Sequence, residues 1–180
     1  IGLCLVGSEM CIRDRVSDHL YGWSKLCAER MLWEMSKSTD INISIFRPFS
    51  GYGPTQSLSY PFPNLVKNVK QNPKRVQVWG TGQQQRDFIH INDILNSFEK
   101  CIKNNHKSTI VNLGSGVGTS FVDLIRLISK TLYDIDDVEI IRLVDKPVGV
   151  QSRIACTEKQ TRLNMCTTIS LVEGIKTFEE

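Results

Sequence analysis

With 180 residues, 41% of them apolar and 23% charged, the chain has the size and composition of one ordinary globular domain. Twenty-two basic against nineteen acidic side chains leave a net charge of +3, too small to argue for a nucleic-acid partner. No apolar run approaches the roughly 20 residues of a membrane-spanning helix, so no membrane association is expected.

Residues 1–15 read IGLCLVGSEMCIRDR. They lack the basic start, full apolar stretch and small-residue cleavage site of a signal peptide. The run from Leu5 to Asp14 resembles the in-frame translation of a transposase sequencing adapter. Residues 1–15 are therefore expected to be non-native and without fixed packing. The native part, 16–180, is expected to be a C-terminal fragment. Cys4 and Cys11 fall in the excluded segment, and Cys27, Cys101, Cys156 and Cys166 are scattered without a C-x-x-C pair. His19, His90 and His106 are equally dispersed, so no metal site is read. Free thiols in a reducing cytoplasm are the simplest account.

From about Leu20 to Ser36 the pattern is helical. Ile41 to Phe46 alternates as a strand, ended by Arg47-Pro48, and Phe49 to Pro54 is a Gly/Pro-rich loop. A helix is expected from about Phe62 to Gln71, a short strand over Val76–Trp79, and another over Asp87–Ile91. Asp93 is suited to cap a helix running to about Lys103. Ile110–Leu113 reads as a strand, Thr119–Leu132 as a helix, and Val138–Leu143 as a strand. Short helices near Glu158–Leu163 and Ser170–Phe178 finish the chain. Strands alternating with helices indicate α/β class.

Tyr21 and Lys25 stand four apart on the first helix, so they share a face one turn apart. A phenol is a poor base near neutrality because its ordinary pKa is about 10. A neighbouring ammonium favours the phenolate, which suits the pair to general acid/base work. A surface tyrosine and lysine on an amphipathic helix would carry the same spacing.

The blocks that follow are more specific. Tyr21-Gly-Trp-Ser-Lys25 is followed by Arg47-Pro-Phe-Ser-Gly-Tyr-Gly-Pro54. Next come Val78-Trp-Gly-Thr-Gly-Gln-Gln-Gln-Arg86-Asp-Phe-Ile-His90 and then Val111-Asn-Leu-Gly-Ser-Gly116. In this order they resemble the extended short-chain dehydrogenase/reductases, and within them the NAD-dependent epimerase/dehydratase enzymes of nucleotide sugars. The resemblance implies the C-terminal part of a Rossmann-type parallel sheet plus a small mixed α/β substrate-binding lobe. It implies NAD, with NADP possible, as cofactor, a nucleotide-diphosphate sugar as substrate, and a homodimer when full length.

By the same resemblance Tyr21 is the acid/base, and Lys25 holds the nicotinamide ribose and the phenolate. Pro48 and Phe49 border the nicotinamide, and Ser50 stands where the family has a substrate-contacting asparagine. Arg86 and Arg153 reach the diphosphate, since guanidinium forks suit phosphate oxygens. For both arginines the rival readings are an ion pair with Asp87 or Glu99, or a solvated charge. Asn64 and Leu65 fall where the family opens a helix whose first amides meet phosphate. Gln77 and Trp79 border the base, although Trp79 could equally be a core tryptophan at a sheet edge. His90 reads as a packed strand histidine. Ser50-Gly51 and Thr81 depart from the family's Asn-Val and Asp, which leaves the sugar and base open.

Gly114-Ser-Gly-Val-Gly118 imitates a dinucleotide fingerprint, but its spacing is G-x-G-x-G and no ribose-binding acid closes the next strand. It reads as an αβ turn. The genuine fingerprint and the catalytic Ser/Thr are not found in the sequence, so weak NAD binding and no independent activity are expected. An epimerase is favoured, with a 4,6-dehydratase, a reductase or a non-catalytic binding relative as alternatives.

Overall fold

The computed structural model describes residues 20–104 and 108–179. The segment expected to be adapter-derived, together with His19 and His106, lies outside the described residues. In chain order the elements are α1 (Leu20–Ser38), β1 (Ser44–Pro48), β2 (Gly51–Tyr52), α2 (Pro61–Gln71), β3 (Arg75–Trp79), β4 (Gln85–Arg86) and β5 (Ile89–His90). They continue with α3 (Ile91–Lys103), β6 (Thr109–Leu113), β7 (Thr119–Ser120), α4 (Phe121–Tyr133), β8 (Glu139–Leu143), β9 (Ser152–Arg153), α5 (Glu158–Arg162) and α6 (Leu171–Lys176).

The strands pair in an almost wholly parallel sense, as α/β alternation requires. β1 runs parallel to β6, from Ser44 opposite Thr109 to Pro48 opposite Leu113. β2 runs parallel to β5, and β3 to β8. β4 lies between β7, antiparallel, and β9, parallel, which sets Arg86 opposite Arg153.

Apolar spacing explains the layers. On α2, Phe62, Leu65, Val66 and Val69 recur at helical intervals and are buried. On α4, Phe121, Val122, Leu124, Ile125 and Ile128 do the same, with Ser120 capping the first turn. Both helices meet Val76 and Val78 of β3, and Tyr52, Phe88 and Phe178 complete this core. A second cluster joins Ile89, Ile94, Cys101, Val111, Leu113 and Met165. α6 opens with a reciprocal capping box between Ser170 and Glu173.

α1 differs from the other long helices: none of its residues is buried. Its tie to β1 is the Arg47–Glu29 pair, with Arg47 Nε donating to Glu29 Oε1 at 2.9 Å and Nη2 to Oε2. The two side chains are only 15% and 20% exposed.

Three local expectations are corrected. The first strand begins at Ser44 rather than Ile41, because its ladder starts where Thr109 is available. It ends at Pro48, as expected, and the ladder bond there comes from the next residue, with Phe49 N donating to Leu113 O at 2.8 Å. The expected strand over Asp87–Ile91 is two short strands, β4 and β5, flanking Asp87. α3 is capped by His90, whose Nδ1 accepts from Asn92 N, while the Asp93 carboxylate receives Thr168 N, Thr168 Oγ1 and Ile169 N.

Candidate functional site

A cavity of about 460 Å³ opens between the start of α2, β3, β4 and the connection from β8 to β9. That volume is in the range of small-molecule sites. α2 contributes Asn64, Leu65 and Asn68, β3 contributes Gln77, Val78 and Trp79, and Arg86 comes from β4. Leu58 to Pro61, Gln84, Phe121 and Pro147 to Gly149 close the remaining wall.

Alternation along β3 produces the Trp79 position. Val76 and Val78 turn into the core, so Arg75, Gln77 and Trp79 face outward. Trp79 remains 57% exposed on the cavity, not sealed in a core. Gln84 is buried beneath it and donates Nε2 to the Trp79 carbonyl at 3.2 Å.

Among the described residues, Arg86 is the one charged side chain in the lining. Its Nη1 donates to Gln85 O at 2.7 Å, and the guanidinium lies 5.7 Å from the centre of the Phe121 ring. Neither rival partner is engaged: Asp87 binds backbone amides, and Glu99 pairs with Lys103 at 2.8 Å. Among the described residues no carboxylate forms an ion pair with Arg86 or Arg153. Partial burial, and then the charge of Arg153 across the ladder, push the Arg86 pKa down from its ordinary value. Two like charges side by side without a counter-charge make an electrostatic place for an anion.

The structure therefore brings Asn64, Leu65, Gln77, Trp79 and Arg86 around one cavity, with Arg153 beside Arg86 in register. The helix-start reading for Asn64 needs correction. α2 opens earlier, at Pro61, and the Asn64 amide already donates to Tyr60 O at 3.3 Å. Proline at the first and third helical positions leaves Phe62 as the only N–H donor among the first three. Asn64 faces the cavity through its side chain, whose Nδ2 donates to Leu58 O and whose Oδ1 accepts from Asn68 Nδ2.

Tyr21, Lys25, Pro48, Phe49 and Ser50 all lie outside the cavity lining. Tyr21 is 74% exposed, and Lys25 Nζ lies 5.3 Å from the centre of its ring, as helical spacing demands. Phe49 is buried while Pro48 is exposed. Ser50 takes a positive φ of 21°, uncommon for a residue with a side chain, and Gln56 Nε2 holds the next carbonyl, Gly51 O, at 2.9 Å. From Ser50 the chain runs through β2 to Leu58–Pro61 in the cavity wall.

His90 is buried, and burial pushes its pKa below the ordinary value against the opposing pull of Asp93. It packs edge-on against Tyr52 and caps α3, a structural position.

The glycine turn at 114–118 leads from strand β6 into β7, so it is not an αβ turn. Its amides are already used: Ser115 N and Gly116 N donate to the Asp87 carboxylate at 2.7 and 2.9 Å. A pyrophosphate has no free amide cradle there. Among the described residues no three His, Cys, Asp or Glu side chains converge as metal ligands, and the four described cysteines are free. No described helix is long and apolar enough to cross a membrane.

Tyr60, Asn68, Gln84, Phe121 and the 147–149 segment were not marked by sequence reasoning. Asn68 follows Asn64 by one helical turn, so the α2 periodicity could have found it. The 147–149 segment reaches the cavity only through tertiary packing, with Val148 Cγ1 filling the space that a side chain on Gly80 would need.

Residues 9–114 match the NAD dependent epimerase/dehydratase family. That match begins inside the segment ascribed to an adapter. The chain is 29% identical over 114 residues to a dTDP-L-rhamnose 4-epimerase of Burkholderia thailandensis, covering 61% of this chain and 31% of that protein. It is 30% identical over 149 residues to the UDP-glucose 4-epimerase of Mycoplasma genitalium, covering 71% and 43%. Among solved structures, the UDP-glucuronic acid 4-epimerase of Bacillus cereus in complex with UDP-glucuronic acid and NAD is similar, with a TM-score of 0.74 at 26% identity. That likeness covers 91% of this chain and 55% of that one. MoeE5 in complex with UDP-glucose and NAD shares the fold, with a TM-score of 0.76 at 24% identity, over 99% and 60% of the two chains. The chain thus spans about a third to two-fifths of the curated relatives and little over half of the solved ones.

Proposed function

The chain belongs to the NAD dependent epimerase/dehydratase family, and from that premise we propose that its cavity receives the nucleoside diphosphate of a nucleotide sugar in an epimerase reaction. The observation that carries the proposal is the uncompensated arginine pair: Arg86 in the cavity lining and Arg153 opposite it on the ladder. A diphosphate supplies two adjacent negative charges and acceptor oxygens in the geometry that guanidinium forks match. Trp79, exposed on the cavity, offers a flat face to a base, and Gln77 and Asn64 offer amide donors and acceptors. Leu65 forms the apolar floor. In this reading β1 and β6 are the last strands of a Rossmann-type sheet, and the remaining strands form the substrate lobe.

Tyr21, Lys25, Pro48 and Phe49 serve the nicotinamide end of NAD in this proposal. An exposed phenol and an ammonium share one helix face, with Pro48 and Phe49 at the end of β1. The pyrophosphate end finds no cradle among the described residues, because the one glycine turn of suitable shape is filled by Asp87. When bound, the cofactor supplies reversible hydride acceptance at the nicotinamide. Tyr21 Oη takes the sugar hydroxyl proton and later returns one, and Lys25 stabilises the phenolate between the two events. Ser50, on the loop from β1 to the cavity, contacts the sugar. Pairing of two copies through α1 accords with a helix none of whose residues is buried.

The test is a calorimetric titration with UDP-glucose, dTDP-glucose and NAD separately. Nucleotide-sugar binding that exceeds NAD binding is expected, and tight NAD binding with no nucleotide-sugar binding overturns the proposal. In a turnover assay, Tyr21→Phe should leave nucleotide-sugar affinity intact and abolish the reaction; unchanged turnover removes Tyr21 from its role.

A further inference from the structure

We infer that Asp87 is the positioning residue that turns Arg86 and Arg153 into a diphosphate clamp, an inference that rests on the cavity reading above. Asp87 follows Arg86 in an extended segment, so the two side chains point to opposite sides. The Arg86 side chain faces the cavity, and the Asp87 carboxylate is fully buried on the other side. Its Oδ1 accepts from Ser115 N at 2.7 Å and Ser115 Oγ at 2.6 Å. Its Oδ2 accepts from Gly116 N at 2.9 Å and Ala155 N at 3.1 Å. Asp87 N also donates to Arg153 O at 3.1 Å. One residue therefore fixes the strand of Arg86, the strand of Arg153 and the 114–116 turn to one another.

That fixation has an electrostatic purpose. Two neighbouring guanidiniums repel, and the short strands β4 and β9, two residues each, offer little ladder to resist splaying. Asp87 neutralises no guanidinium; its charge is spent on backbone amides, so both arginines keep their full attraction for an anion. Gly114 permits the approach: a Cβ there would stand 2.5 Å from Asp87 Oδ2. A clamp held in place before the ligand arrives loses less freedom on binding.

The test compares UDP with uridine, which carries the base and ribose without phosphates, by calorimetry on the native chain, Asp87→Asn and Ser115→Ala. An asparagine at 87 keeps size but sets its NH₂ against N–H donors on one side, loosening either the turn or the Ala155 tie. The preference for UDP over uridine is expected to fall about tenfold in Asp87→Asn, about the loss of one charge-assisted phosphate bond. It should fall less, by about threefold, in Ser115→Ala, which removes one of four bonds to the carboxylate. Uridine affinity should stay unchanged in both. A preference that does not change, or UDP and uridine affinities that fall together, overturns the positioning role. If Asp87→Asn does not fold, Ser115→Ala decides by the same criterion. A native chain with no preference for UDP overturns the cavity reading itself, a separate result.

Discussion

Replacing Arg86 by alanine separates binding from folding, because the residue has a ligand-facing side and little structural engagement. The free protein loses one hydrogen bond to Gln85 O and the stacking on Phe121. A partly exposed cation–π contact is worth about 0.5–1 kcal/mol. Against that, the substitution removes a partly buried charge and its repulsion by Arg153, the causes, in that order, of the lowered Arg86 pKa. Stability should change by less than about 1 kcal/mol, a few degrees in Tm for a chain of this size. Binding loses more: hydrogen bonds to a charged group contribute about 1.5–3 kcal/mol, so UDP affinity should fall roughly 10- to 150-fold. Arg86→Lys keeps the charge without the planar fork and should recover part of the loss. The assay is calorimetric titration with UDP alongside thermal melts. A folded Arg86→Ala chain that binds UDP as tightly as the native one would falsify the assignment.

Three other outcomes follow from the same geometry. His90 is held neutral by burial and caps α3 through an unprotonated Nδ1, with Asp93 and Tyr52 as its titratable neighbours. Its folded pKa lies below the ordinary 6.5, so this contribution is intact above that value and is lost as pH falls below it. His90→Asn keeps an acceptor for the cap but does not titrate; the Tm gap between native and variant should therefore shift in favour of the variant from pH 7.5 to 5.5, and a pH-independent gap contradicts the reading. Gly174→Ala places a Cβ 1.9 Å from Tyr52 Oη inside the core. A loss of about 1–3 kcal/mol is expected in denaturant unfolding, partly restored by adding Tyr52→Phe; a stabilised single variant would show that the two do not abut. Glu29→Ala leaves Arg47 unpaired in a mostly buried place and should cost about 3–5 kcal/mol locally. Hydrogen exchange should rise across α1 and β1 while α4 stays protected, and unchanged exchange in α1 would show that the pair does not dock it.

The long elements were legible because each carries a periodic apolar face. Phe62, Leu65, Val66 and Val69 on α2, and Leu124, Ile125 and Ile128 on α4, announce their helices, and the structure buries those side chains. The paired residues of β2, β4, β7 and β9 were not legible, since two residues cannot express a period. Asp93 is a good capping residue by type, yet His90 holds the position because the Asp93 carboxylate is drawn to Thr168 and Ile169, 75 and 76 residues away. The glycine run at 114–118 showed its wrong spacing in the sequence, but not that Asp87 fills its amides, a contact across 28 residues. Arg86 and Arg153 were both readable by resemblance, whereas their standing opposite one another depended on the β4–β9 register.

The most direct measurement is a crystal structure of the chain grown with UDP-glucose. The diphosphate oxygens should lie within hydrogen-bonding distance of the Arg86 guanidinium, on the Arg153 side, with the base beside Trp79. A nucleotide held at the 114–118 turn, or bound anywhere out of reach of Arg86, would contradict it.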